Sequence, residues 1–321
     1  MTEAQEAILR HHHITLCVGT AQQDYDFHTK VLALKSVKKT LIYDGASPFY
    51  HLYYGNDLGE ESTLITCFPV AHFGRKGHRG AGQIGGLSLS VPVSAIPFWE
   101  KRLRDHGFEV KRSERFGEPV LSFAHPCGIP YEMIGIADDA RKPWSNGEVP
   151  ADLAIRGLHT ISVNVRELEP SQEFMQQGWS AHEVARDEKH TRFAFGEGAG
   201  HPGQFVDYVL TPDLPQASWT YGEGIVHHCA FQVKDRAVQD KVKANLEGLG
   251  FTDTSERKDR GYFESIYVRT PAGAMFEATV SKPEAFLIDE TYEALGSKVQ
   301  IAPQFESQRE TIIASLEKLE F

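Results

Sequence analysis

A chain of 321 residues exceeds one small domain and suits two, each large enough to bury a core. Lys and Arg number 33 against 44 Asp and Glu, a net charge of −11 that argues against a nucleic-acid binder, which needs a basic face. A hydrophobic content of 41% excludes global disorder, no apolar run approaches the ~18–20 residues of a membrane span, and the polar, acidic start MTEAQEAILR lacks the layout of a secretory signal. The expectation is a cytoplasmic protein with free thiols, because Cys17, Cys67, Cys127 and Cys229 form no CxxC pair. Fifteen histidines stand out, with His11-His12-His13 and His227-His228 contiguous.

In chain order, four heptads alternate with period two and predict strands: His12–Val18 (HHITLCV), Gly85–Val91 (GGLSLSV), His159–Val165 (HTISVNV) and His227–Val233 (HHCAFQV). Their second residues, His13, Gly86, Thr160 and His228, are 73, 74 and 68 apart, the signature of a repeat. Helical stretches follow three of these strands. Ser94 is the expected N-cap of a run reaching His106, Glu167 to Gln177 forms the next, and Asp235 to Leu249 spaces Val238, Val242, Leu246 and Leu249 on one face. Each run then meets a glycine and an aromatic residue, Gly107-Phe108, Gly178-Trp179 and Gly250-Phe251, a helix stop.

Module ends also correspond. HPCGIPYEMI (His125–Ile134) aligns with TPAGAMFEAT (Thr270–Thr279), so Glu132 and Glu277 are equivalent, and the same register puts Asp207 and Thr66 in that position of the third and first modules. The reading is α+β, with four copies of a βαβββ module. Residues 1–150 hold modules one and two, 151–285 hold modules three and four, and 286–321 form a tail with a short helix using Ile312, Ile313, Leu316 and Leu319. The tail suits a packed flap or an oligomer contact. GAGQIG (Gly80–Gly85) fits GxGxxG but leads into a strand, so the phosphate-cradling context is missing. GRKGHRG before it reads as a solvated loop, and GEGAGHPG (Gly196–Gly203) as a hairpin turn.

Modules with a histidine on the opening strand and a glutamate on the closing strand resemble the vicinal oxygen chelate superfamily. Within it the chain is similar to the hydroquinone-type ring-cleaving dioxygenases, through HHIT (His12–Thr15), TLIYDG (Thr40–Gly45), YHLYYGNDLG (Tyr50–Gly59), RFGE (Arg115–Glu118), RGLH (Arg156–His159), EGIVHH (Glu223–His228) and the long block from Arg257 to Thr279. The resemblance implies the glyoxalase/extradiol dioxygenase fold, in which the four modules form two cup-like half-barrels, and an iron(II) enzyme that opens a hydroquinone-type ring with dioxygen. Manganese(II) suits the same ligands.

Two imidazoles and one carboxylate form a facial triad that leaves adjacent metal positions open. Strand alternation selects the histidines. His13, Thr15 and Cys17 share the small, polar face of the first strand, opposite Ile14, Leu16 and Val18, while His228 shares a face with Ala230 and Gln232. His159 falls with Ile161, Val163 and Val165 and reads as a packing residue. Pairing neighbouring modules never puts two histidines in one cup. Pairing first with fourth gives His13, His228 and Glu277, and leaves a second-with-third cup holding Gly86, Glu132, Thr160 and Asp207 without a metal.

The resemblance further implies that His12, Thr15, His227, Arg260 and Tyr267 surround the substrate. Strict alternation places His12 and His227 on the face away from the ligands, so both need the strand start to splay; as packing residues they need no splay. Residues reaching the far hydroxyl of a para-diol would separate it from a catechol, with His12, Thr15 and Arg260 the candidates. The other readings are a catechol-type extradiol dioxygenase, a glyoxalase-like metal-dependent isomerase or lyase (although Thr66 fills the place of its usual fourth ligand) and a non-catalytic module that binds small aromatics.

Overall fold

The computed structural model describes residues 7–43, 47–196, 200–218 and 220–321. Residues 1–6, Asp44 and Gly45 of the TLIYDG block, and residues 197–199 at the centre of the glycine-rich turn lie outside the described residues.

The first module runs β1 (Arg10–Val18), α1 (Ala21–Asp26) continued by a π-type turn (Phe27–Val31), β2 (Lys35–Ile42), β3 (Phe49–Gly55) and β4 (Leu64–Pro69). The second has β5 (Gln83–Pro92), α2 (Ile96–Asp105), β6 (Lys111–Arg115), β7 (Glu118–Ala124) and β8 (Pro130–Ile136). The third has β9 (Gly157–Val165), α3 (Glu169–Glu173) with its own π-type turn (Phe174–Gly178), β10 (Ala181–Arg186), β11 (His190–Phe195) and β12 (Phe205–Leu210). The fourth has β13 (Ile225–Gln232), α4 (Arg236–Gly248), β14 (Lys258–Asp259), β15 (Phe263–Arg269) and β16 (Met275–Ser281). The tail carries α5 (Arg309–Ser315). No helix among the described residues is long and apolar enough to cross a membrane.

Local chemistry sets these boundaries. The Asp235 carboxylate accepts the Val238 N–H (2.9 Å) and starts α4, and Gly250 ends that helical stretch with φ 95°. Thr20 caps α1 by accepting the Gln23 N–H. Ser94 is not the cap expected of it: it lies in a 3₁₀ turn (Val93–Ala95), and α2 begins after that turn with proline in its first positions, where a missing N–H costs nothing. The expected helix from Glu167 is split, its second half widening into the π-type turn that ends at Gly178.

The strands form two eight-stranded mixed sheets. One has the order β14-β15-β16-β13-β1-β4-β3-β2 and so joins the fourth module to the first; the other, β10-β11-β12-β9-β5-β8-β7-β6, joins the third to the second. The junctions are antiparallel pairs of opening strands, β1 with β13 and β5 with β9. The register at the two junctions is the same. His13 faces Ala230 and Thr15 faces His228 in one; Gly86 faces Ser162 and Ser88 faces Thr160 in the other.

All four opening strands carry a bulge at the first residue of their heptad. The pairing skips His12 between His11 and His13, and skips His227 between His228 and Val226. Gly85 and His159 are passed over in the same way at the other junction. A bulge adds a residue to one strand and re-aims its side chain, which supplies the splay that alternation alone does not.

The sheets and helices share one continuous apolar core drawn from all four modules, including Leu16, Phe27, Leu52, Trp99, Met133, Phe174, Trp179 and Phe276. A buried polar network joins α1 to the second sheet within it. Tyr54 donates to Asp24 Oδ2 (2.7 Å), and His28 approaches Asp24 Oδ1 (3.2 Å) with Nδ1 and the Tyr131 hydroxyl (2.9 Å) with Nε2. His125 accepts the Cys127 N–H on Nδ1 (3.1 Å), so its other nitrogen carries the proton and faces Asp24 Oδ1 at 3.2 Å.

The tail packs along β2, the outer strand of the first sheet. Lys38, fully buried, donates to the Phe286 carbonyl (3.0 Å) and pairs with Asp289 and Glu290 (both 2.5 Å); Tyr262 donates to Asp289 (2.8 Å). Lys39 bonds the Gly296 carbonyl, and its own carbonyl accepts from Gln300 N–H (2.8 Å). An edge that would otherwise offer free backbone groups is thereby covered.

Burial alone would raise the Asp24 carboxyl, but His28 and His125 outweigh it and hold the group below the usual carboxylate range, while burial lowers His125. Both depressed values act in the same direction. The unfolded chain takes up protons at His125 below pH ~6.5 and at Asp24 below pH ~4 while the folded chain resists, so stability is full above these values and falls as pH falls. Thermal melts should show this acid limb. Asp24→Asn should lower stability at pH 7 by ~1.5–3 kcal/mol, the worth of hydrogen bonds to a charged group, and shrink the further loss between pH 5 and 3. An unchanged melting temperature at pH 7 would contradict the network's role.

Candidate metal centre and substrate cavity

The β1–β13 junction places His13 and His228 on neighbouring strands, and β16, which pairs in parallel with β13, puts Glu277 opposite Ala230. Their functional atoms converge. His13 Nε2 lies 3.2 Å from His228 Nε2, and Glu277 Oε2 lies 2.9 Å from His228 Nε2 and 3.9 Å from His13 Nε2. Ligand atoms at right angles around an ion with bonds of ~2.1 Å are ~3 Å apart, so the spacing fits one divalent cation. Glu277 Oε2 is buried, and no hydrogen bond satisfies it. A buried carboxylate oxygen left without a donor is costly, and a cation at the convergence point would satisfy it.

Charge states fit as well. Burial drives His13 well below its ordinary pKa, keeping it neutral. Burial alone would raise the Glu277 carboxyl, but the adjacent His228 and His13 outweigh it and keep it ionised. Neutral imidazoles and a carboxylate are the forms that bind metal.

Behind each histidine stands its neighbour in sequence. His12 Nδ1 lies 2.9 Å from His13 Nδ1, and His227 Nδ1 lies 2.7 Å from His228 Nδ1. For His13 to offer a bare Nε2, its proton must sit on Nδ1 and be donated to His12. His12 then donates from Nε2 to Ser281 Oγ (2.9 Å), and Ser281 donates to Glu61 (2.6 Å). This relay fixes the tautomer and ring direction of His13, as outer partners of metal-binding histidines commonly do. Thr15 Oγ1 sits between Thr66 Oγ1 (2.7 Å) and His228 Nε2 (2.9 Å).

A cavity of about 1000 Å³ opens in front of the cluster, a size typical of small-molecule sites. Of the residues selected from the sequence, His13, His228, Glu277, His227, Arg260 and Tyr267 line it. His227 stacks on Tyr221 (centroids 3.8 Å apart), and Arg260 reaches from the exposed rim to donate to the Tyr267 hydroxyl (2.9 Å). His12 and Thr15, expected around the substrate, stand one layer back, because their polar atoms are turned to Ser281 and to Thr66 and His228. The sequence reading passed over His51, Tyr53 and Phe68, which also line the cavity, and Ser281 and Glu61 behind His12.

The second sheet repeats the same positions with other chemistry. Its two carboxylates, Glu132 and Asp207, are bridged by Arg115 (2.6 and 3.3 Å), and Arg192 grips Asp207 (2.7 and 2.9 Å) and Glu118 (2.7 Å). Gly86 stands where His13 stands in the first sheet. A side chain there is excluded, since its Cβ would lie 2.6 Å from the Pro130 carbonyl oxygen. His159 packs, fully buried, against Phe205 and lies 3.4 Å from Glu118.

Two curled eight-stranded sheets built from repeated modules, one of them holding a His-His-Glu cluster at the base of a cavity, define the vicinal oxygen chelate architecture. The comparisons agree. A chlorohydroquinone/hydroquinone 1,2-dioxygenase of Sphingobium indicum is 43% identical over 319 residues, 98% of either chain. A solved Bacillus subtilis structure designated a dioxygenase superposes with a TM-score of 0.89 at 32% identity, over 98% of both chains. Glyoxalase I of Zea mays shares the fold, with a TM-score of 0.63 at 15% identity over 87% of this chain and 94% of its own. No family model matches the chain. The chain belongs to the family of ring-cleaving dioxygenases represented by the Sphingobium enzyme, within the vicinal oxygen chelate superfamily.

Exchanging Glu277 for Gln removes the charge and keeps the shape. Reconstituted with iron(II), desalted and analysed for metal, the wild-type chain should carry about one ion, and the variant should bind at least ~10–100-fold more weakly, the range already seen for loss of outer partners alone. A full metal complement in the variant would contradict the assignment of Glu277.

Proposed function

We propose that this protein is an iron(II)-dependent dioxygenase that opens a hydroquinone-type ring between a hydroxylated carbon and its neighbour. The observation that carries the reading is the convergence of the buried His13, His228 and Glu277 atoms on one point at the cavity base, in a chain 43% identical to an enzyme named for hydroquinone and chlorohydroquinone cleavage. When bound by these three residues, iron(II) supplies Lewis-acid activation of a phenolic oxygen and a redox route from ring to dioxygen. Manganese(II) suits the same donors.

The protein's own groups supply position and charge. The neighbouring histidines, His12 and His227, hold the rings of His13 and His228 from behind, so the ligand geometry is set before substrate arrives. Tyr267 and Arg260 form one wall, where a permanent guanidinium charge favours an ionised phenol oxygen. His227, kept neutral by burial, accepts from His228 on Nδ1 and so carries its proton on Nε2, a donor for an oxygen held in the cavity. Phe68, between His51 (centroids 4.6 Å) and His227 (5.5 Å), offers an aromatic face to the substrate ring.

A para-diol reaches the metal through a single oxygen, because its second hydroxyl lies across the ring, whereas a catechol can chelate. Oxygen-electrode traces with the iron-loaded protein should show one dioxygen consumed per hydroquinone, loss of ring absorbance, and no turnover under argon. Turnover without oxygen would favour an isomerase or lyase, and tight binding without turnover would favour a binding module; either outcome overturns the proposal.

A further inference from the structure

The first sheet has an approximate twofold relation between its modules, and the relation extends beyond the metal-facing positions. On β15 and β16, Tyr267 pairs with Glu277; on β3 and β4, Tyr53 pairs with Thr66. Tyr53 is therefore the first module's counterpart of Tyr267, as Thr66 is of Glu277. Each tyrosine hydroxyl holds a nitrogenous side chain at the cavity. Tyr267 accepts from Arg260 Nε at 2.9 Å, and Tyr53 lies 2.8 Å from His51 Nδ1. The two walls differ in exposure: Arg260 stands at the open rim, whereas Tyr53 is only 2% exposed.

The Tyr53 hydroxyl is placed to donate to His51 Nδ1. In that arrangement Nδ1 accepts and the His51 proton sits on Nε2. That nitrogen lies 3.1 Å from Thr66 Oγ1, and a chain of hydroxyls continues from Thr66 to Thr15 (2.7 Å) and His228 Nε2 (2.9 Å). His51 thus lines the cavity with Nε2 beside Thr66, two hydroxyls removed from His228. His12 and Thr15, the other candidates for reading a distant hydroxyl, do not line the cavity.

Resting on the hydroquinone reading above, we infer that His51 is a specificity-determining residue. It donates from Nε2 to the substrate oxygen that stays off the metal ligands, and it thereby favours para-diols over catechols. Tyr53 is its positioning residue. The oxygens of a catechol are neighbours and are both satisfied near the triad, whereas the second oxygen of a para-diol is carried across the ring and needs a donor on the far wall.

The test measures anaerobic binding of hydroquinone and of catechol by calorimetry, on iron-loaded wild-type protein, His51→Phe and Tyr53→Phe, with iron content and melting temperature recorded for each. Oxygen uptake with both diols follows. The ratio of the catechol Kd to the hydroquinone Kd should fall roughly 2–12-fold in His51→Phe, the equivalent of one hydrogen bond, with iron content unchanged. Tyr53→Phe, which frees the tautomer and keeps the imidazole, should show a smaller fall in the same direction. A ratio that stays constant in both variants would overturn the inference while leaving the hydroquinone reading intact. A wild-type protein that neither binds nor consumes hydroquinone would overturn that reading, and the inference with it.

Discussion

The antiparallel pairing of β1 with β13 is the constraint on which the remaining features depend. It joins modules that are farthest apart in the chain into one sheet, and it sets His13 and His228 on adjacent strands with their Nε2 atoms 3.2 Å apart. A shift of one residue would turn every side chain of a strand to the opposite face, and the cluster would dissolve. The bulges at His12 and His227 take up the extra residue of each histidine pair, so that one member of each pair points at the convergence with Glu277 and the other contacts it from behind through Nδ1.

The two sheets show how one scaffold position can be neutralised in two ways. Buried carboxylates need a cation, because an unpaired buried charge is severely destabilising. In the second sheet the cations are guanidinium groups, with Arg115 and Arg192 satisfying Glu132 and Asp207. In the first sheet the ion-pair partners of Glu277 are the imidazoles of His13 and His228, and its Oε2 has no hydrogen-bond partner. The missing positive charge is the electrostatic argument for a metal there, and the gripping arginines are the argument against one in the other sheet. The close Pro130 carbonyl at Gly86 adds a steric reason, since no histidine fits that position.

Much of this arrangement was legible in the sequence because it is periodic. The spacing of His13, Gly86, Thr160 and His228 gave the repeat, alternation gave the inward faces, and the requirement for two histidines in one cup gave the pairing of first with fourth module that the strand order shows. What was hidden depends on contacts between distant residues or on breaks in the period. Ser281 meets His12 across 269 residues and Glu61 across 220, with no local pattern to announce either contact. The bulges violate strict alternation, which is why His12 and His227 looked misplaced. Ser94 carries the chemistry of a helix cap, but the intervening 3₁₀ turn moves the helix start beyond it. His51 and Tyr53 were within reach, since the register that equates Thr66 with Glu277 also equates Tyr53 with Tyr267.

Anomalous diffraction at the iron edge, on crystals grown from protein loaded with iron(II), tests the central claim most directly. The account predicts a single strong peak bounded by His13 Nε2, His228 Nε2 and Glu277 Oε2, and no peak between Glu132 and Asp207. A peak in the sheet of the second and third modules, or iron held without Glu277, would contradict it.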